Sequence, residues 1–167
     1  MVDFLTVVKF LHILAGMAWI GSSLYVELIV LPSLKRMRTT GEFRTLRNVL
    51  KRTGPFLGLS GIFTLVTGLS FLFLKYGTDF GVIWSLPSGR LILIALALVV
   101  VALVIGFGLL LPTSLKMLRT PLPDNDAADL PQIVRRGVRR IDYGALAATV
   151  LIVFVLFLMV VAAAGGF

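Results

Sequence analysis

RLILIALALVVVALVIGFGLLLPTSLKMLRT, residues 90–120, decides the fold of this chain. From Leu91 to Leu111 no residue is charged, and a bilayer crossing needs about 20 such residues in a helix. The run is continuous and lacks the period-2 alternation of a barrel strand, so a membrane helix is the physical reading. It ends in Leu-Pro followed by basic residues. The same ending occurs earlier: LPSLKRMRT at 31–39 matches LPTSLKMLRT at 111–120. Each is followed by another basic stretch, TLRNVLKRTG at 45–54 and QIVRRGVRRIDYG at 132–144, and then by a further apolar run.

The chain is therefore a tandem repeat of helix pairs, each about 80 residues long and in the same orientation. Four stretches are long enough to span: 4–31, 55–74, 91–111 and 145–164. The expected fold class is all-α, an integral membrane four-helix bundle in one domain over 1–167. Composition agrees: 58% of residues are hydrophobic and 14% charged, and the mean hydropathy is +1.01. A soluble domain carries nearer a quarter charged residues. The first span is expected to be retained, because it lacks a basic leader and is too long for a cleaved signal. Pro55 is expected in the first turn of the second span, where a missing N–H costs nothing.

Lys and Arg outnumber Asp and Glu by 16 to 8. Thirteen of the sixteen basic residues lie in 32–54 and 112–143; Lys9, Lys75 and Arg90 are the others. This clustering between spans is a topology signal rather than a nucleic-acid footprint. It predicts that both basic segments are cytoplasmic, that both termini lie outside, and that the chain sits in the plasma membrane. The partners so implied are the lipid bilayer, a homo-oligomer or a larger membrane complex, and no nucleic acid. There is no cysteine, so disulfides, iron–sulfur ligation and thiol catalysis are excluded.

The first span, KFLHILAGMAWIGSSLY at 9–25, contains the single histidine. At 100° per residue His12, Gly16, Trp19 and Ser23 share a face, with Lys9 close to it. A histidine facing lipid is costly, so this face should turn into the bundle. Three roles are open to the imidazole: an axial haem ligand, a proton-relay or quinol contact, or a hydrogen-bonded pin between helices. Zinc lacks a second histidine or a carboxylate at ligand spacing. For haem, His12 is the metal ligand, Gly16 and Trp19 border it, and Lys9 and Arg90 are candidate propionate cations. With one histidine per chain, any second axial ligand would come from elsewhere, and Met17 points off the His12 face. Glu27 is the one acid well inside a span, suited to pairing with Arg36 or with the second repeat's basic stretch, or to a proton route. Gly54, Gly58, Gly61 and Gly68 give the second span a small-residue face for close packing.

Lys9, His12, Ala15, Trp19 and Tyr25 resemble the first helix of the HemJ-like and CopD-like four-helix membrane proteins. Gly21 and Leu31–Pro32 look more CopD-like. KRTGPFLGLSGIFTLVTGLSFL (51–72) is similar to the basic entry and second span of such proteins, and SGRLILIAL (88–96) to the entry of the third. The resemblance to HemJ-like proteins implies haem b held by His12 and protoporphyrinogen oxidation. Here Val26–Glu27 stands in place of a Pro–Arg pair, Arg90 in place of a lysine, and a second histidine at the end of the first helix is missing. Arg cannot exchange a proton as Lys can. CopD-like proteins imply copper import, yet Met1, Met17, Met37, Met117 and Met159 form no cluster along the sequence. Three functions follow as expectations: a haem b-binding redox protein, a non-catalytic small subunit of a membrane complex, and a copper permease.

Overall fold

A computed structural model describes residues 3–165; Met1 lies outside them. The protein is an all-α, four-helix membrane bundle. Its long helices are α1 (Phe4–Arg36), α2 (Thr40–Tyr76), α4 (Pro87–Arg119) and α5 (Gln132–Ala163). A short helix, α3 (Phe80–Ser85), fills the connection between α2 and α4. The spans contain 32 to 37 residues, roughly 50 Å of helix against a hydrocarbon core of about 30 Å. Each one therefore continues past the apolar layer.

That continuation explains the basic segments. Thr39 caps α2 in a reciprocal box: its hydroxyl accepts from the Glu42 N–H while the Glu42 carboxylate accepts from the Thr39 N–H. The helix thus starts at Thr40, and Arg44, Arg47, Lys51 and Arg52 ride on it ahead of the apolar run. Pro55 consequently lies inside α2, not in its first turn as the apolar boundary suggests. Residues 132–144 likewise form the start of α5. The true loop is 120–131. Its Ala128 and Asp126 carbonyls accept from the Thr40 and Gly41 N–H groups at 2.9 and 3.0 Å, and Asp126 pairs with Arg44 at 3.1 Å. The linker between the two halves is thereby fastened onto the start of α2.

The repeat is visible in the backbone. α1 and α4 each widen into one π-helical turn, Val26–Val30 and Gly106–Leu110. The Leu31 N–H bonds the Val26 carbonyl and the Leu111 N–H bonds the Gly106 carbonyl, each five residues back. Pro32 and Pro112 follow directly. A helical proline offers no N–H and its ring crowds the carbonyl four residues earlier. One wider turn relieves that crowding, so the two Leu-Pro pairs place the two π turns.

Packing is dense within the α1–α2 pair and within the α4–α5 pair, and sparse between pairs. A buried apolar cluster closes the basic end: Leu31, Leu34, Phe43, Met117, Val134 and Val138 are among its members. At the other end Gly77 terminates α2 with φ 76°, a conformation that favours glycine. Gly89 lies against the Ile83 carbonyl, which fixes the corner between α3 and α4.

Candidate functional site

The α1–α2 seam is an antiparallel run of large residues set into small ones. His12 stands opposite Gly68, Gly16 opposite Thr64, and Trp19 opposite Gly61. A β-carbon on Gly68 would fall 2.8 Å from His12 Cε1, and one on Gly61 would fall 2.9 Å from Trp19 Cε2. Both positions are therefore occupied by the facing ring. Both pairs repeat at seven residues, two turns, which keeps them on one seam. A β-carbon on Gly16 would meet Thr64 Cγ2 at an ordinary 4.0 Å, so the helix approach there does not require glycine.

The imidazole makes two polar contacts across the seam. Nδ1 lies 3.1 Å from the Thr64 carbonyl oxygen and 3.3 Å from Thr67 Oγ1. A carbonyl only accepts, so Nδ1 carries a proton, and in the neutral ring Nε2 then keeps its lone pair. The Thr67 hydroxyl donates to the Phe63 carbonyl at 2.6 Å, which leaves its oxygen free to accept. The ring is half-buried in this arrangement. Such a second-nitrogen contact orients metal-ligating histidines and equally satisfies a buried structural one.

Of the residues expected at the site, the structure brings together His12, Gly16 and Trp19 on the α2-facing side of α1. Trp19 is buried there. Lys9 and Arg90 are exposed, and among the described residues neither side chain forms an ion pair. Glu27 does not pair with Arg36. Its Oε2 is buried without a hydrogen-bond partner among the described residues. Lys35 instead bridges to Asp142 at 2.6 Å, tying the end of α1 to α5.

One apolar cavity of about 140 Å³ lies where the helix pairs meet. Trp19, Val26, Gly54, Leu57, Leu103 and Gly106 are on its walls, and both π turns border it. The seam explains why it is there. Continuing the register from Trp19–Gly61 by seven residues brings Val26 opposite Gly54, and a β-carbon on Gly54 would meet nothing within 4 Å. The glycines that rings fill at Gly61 and Gly68 go unfilled at Gly54. The cavity starts at Trp19, two turns from His12, and does not include the imidazole. The donor chemistry of His12 thus suits one axial haem position, while this cavity is not where a haem on His12 would lie. Among the described residues no three His, Cys, Asp or Glu side chains converge.

Sequence reading did not anticipate Thr64 and Thr67 as the imidazole's partners, nor the π turns. The repeated Leu-Pro was the available signal for the latter.

Four spans, an internal repeat and a basic end define a multi-pass integral membrane protein. The chain belongs to the family described as "Predicted integral membrane protein (DUF2269)", whose model matches residues 6–162. That match establishes a membrane protein family; it does not single out the HemJ-like or CopD-like proteins. No curated protein matches the chain. No solved structure matches it.

Proposed function

We propose that this chain is a haem b-binding redox protein of the plasma membrane, with His12 Nε2 as an axial ligand. One observation carries the reading: the Nδ1–H···O=C bond to Thr64 at 3.1 Å fixes the tautomer that leaves Nε2 a neutral donor. The group would bring one-electron chemistry to the membrane interior. The chain's own part is to hold the imidazole still: Gly68 seats its edge, and the Thr64 carbonyl sets its rotation. Lys9, one turn before His12, can extend its ammonium outward toward propionates. Arg90 enters the third span on that same side and can serve likewise. The reading stops short of protoporphyrinogen oxidation, because Arg90 cannot shuttle a proton. In this reading the basic end is cytoplasmic and both termini are outside.

A second reading has its own observation. The His12 ring occupies the space above Gly68 as Trp19 occupies that above Gly61. In that role the imidazole is an interhelical pin, and the chain is a non-catalytic subunit of a larger membrane assembly or homo-oligomer. An absorption spectrum separates the two. Protein purified from haem-replete cells should show a Soret band that His12→Ala abolishes while the helical circular dichroism persists. A colourless wild type refutes the haem reading and leaves the pin.

A further inference from the structure

A second groove lies on the far flank of the α4–α5 pair, at the basic end of the bundle. Its volume is about 350 Å³. Lys116 on α4 and Arg136 and Arg140 on α5 line it, and no carboxylate does. Arg136 and Arg140 are one turn apart, so they share a face. The opposite face of α5 carries Val134, Val138 and Ile141, which are buried in the core. The cationic face therefore looks away from the bundle. Met117 packs onto Gly137, and a β-carbon on Gly144 would fall 2.7 Å from Leu110 Cδ2, so close helix approach holds Lys116 near the two arginines.

Three positive charges gathered by packing repel one another. Among the described residues none of the three forms a salt bridge; the Arg136 guanidinium reaches only the Gln132 side chain, at 3.4 Å. A basic cleft beside Lys35, Arg38, Arg135 and Arg139 is built differently. Asp129 and Asp142 line it, and each pairs with one of its cations. Carboxylates offset half of the cations in that cleft and none of those in the α4–α5 groove. Its apolar end reaches Gly108 and Leu109 inside the π turn. A β-carbon on Gly108 would meet nothing within 4 Å, so there is open space for a chain along the helix. Lys116 lies five residues beyond Leu111, about 7.5 Å past the end of the apolar run.

We infer that this groove binds an anionic phospholipid of the bilayer, its headgroup phosphate on Lys116, Arg136 and Arg140 and an acyl chain against Gly108 and Leu109. Cations near a membrane surface each strengthen attraction to acidic lipid. Three of them are expected to favour phosphatidylglycerol over phosphatidylcholine on the order of 100-fold.

The full chain in phosphatidylcholine nanodiscs, titrated with phosphatidylglycerol and read by native mass spectrometry of retained lipid, tests this. The wild type should retain phosphatidylglycerol selectively. The Arg136→Gln/Arg140→Gln variant should lose roughly 30-fold of that preference. Both side chains are exposed, so folding should survive, with circular dichroism as the check. The control is Arg38→Gln/Arg139→Gln, which removes the same charge from the cleft that Asp129 and Asp142 line and should keep the preference. Equal loss in the two variants, or retention indifferent to headgroup, overturns the assignment. Competition by inorganic phosphate at millimolar concentration also overturns it, in favour of a soluble-anion site.

Discussion

Gly61→Ala should destabilise the protein although alanine is the better helix former. The new β-carbon would lie 2.9 Å from both Trp19 Cε2 and Leu103 Cδ2 and 3.0 Å from Trp19 Nε1. Carbon atoms rest at about 3.5–4.0 Å, so each of the two carbon contacts is short by roughly 0.6 Å or more. Trp19 is 5% exposed, so a shift of its ring must come at the expense of its packing. The α1–α2 seam or the contact with Leu103 must open. Overpacking of this kind costs about 1–3 kcal/mol, and the gain of alanine over glycine returns at most about 1 kcal/mol. A net loss of about 1–2 kcal/mol is expected. Gly21→Ala is the matched control, since its β-carbon would meet nothing within 4 Å; it should be neutral or slightly stabilising. Thermal unfolding in one detergent, followed by circular dichroism, measures both. Adding Trp19→Leu should recover part of the Gly61→Ala loss through a non-zero coupling between the two sites. If Gly61→Ala unfolds at the same temperature as Gly21→Ala, the ring-in-glycine seam is wrong.

Other perturbations probe separate parts of the fold. Gly89→Ala drives a β-carbon into the Ile83 carbonyl, a backbone atom that cannot rotate away; it should cost at least about 2 kcal/mol and make the 77–86 corner more sensitive to protease. Thr67→Val removes the weaker of the two imidazole contacts and should cost under about 1 kcal/mol, because the Thr64 carbonyl remains. A Lys35→Ala, Asp142→Ala double-mutant cycle should give a coupling of about 0.2–1 kcal/mol that shrinks with added salt, since Lys35 is half exposed. A reporter inserted at 124–129 should register as cytoplasmic; periplasmic or extracellular activity would reverse the proposed orientation.

The bundle was legible in the sequence because each apolar run has the length a bilayer demands and each basic cluster falls between runs. The repeat was legible for a similar reason, the two Leu-Pro-basic endings. The helical spacing of the basic stretches was legible too, but the exact helix starts and the place of Pro55 were not. Arg44 to Arg52 and Arg135 to Arg140 are good helix formers, so hydropathy ends where the helix does not. The inward turn of His12, Gly16 and Trp19 followed from 3.6-residue periodicity and the cost of a polar group in lipid. What each residue meets there did not follow. The partner of His12 is a backbone carbonyl, which no side chain in the sequence marks, and the fit of Trp19 to Gly61 depends on interhelical register. The cavity at Gly54 was hidden by the same ignorance of register: a glycine filled by a ring and one left open read alike. Lys9 and Arg90 were joined by a chemical need rather than by a spacing, and the fold holds both exposed.

The central functional claim is that His12 Nε2 is a ligand, and chemical rescue tests it most directly. His12→Gly should purify folded but without a Soret band, and added imidazole, filling the vacated space above Gly68, should restore the band as haem is supplied. A wild type that takes up no stoichiometric haem, or a band indifferent to His12→Gly, contradicts the account.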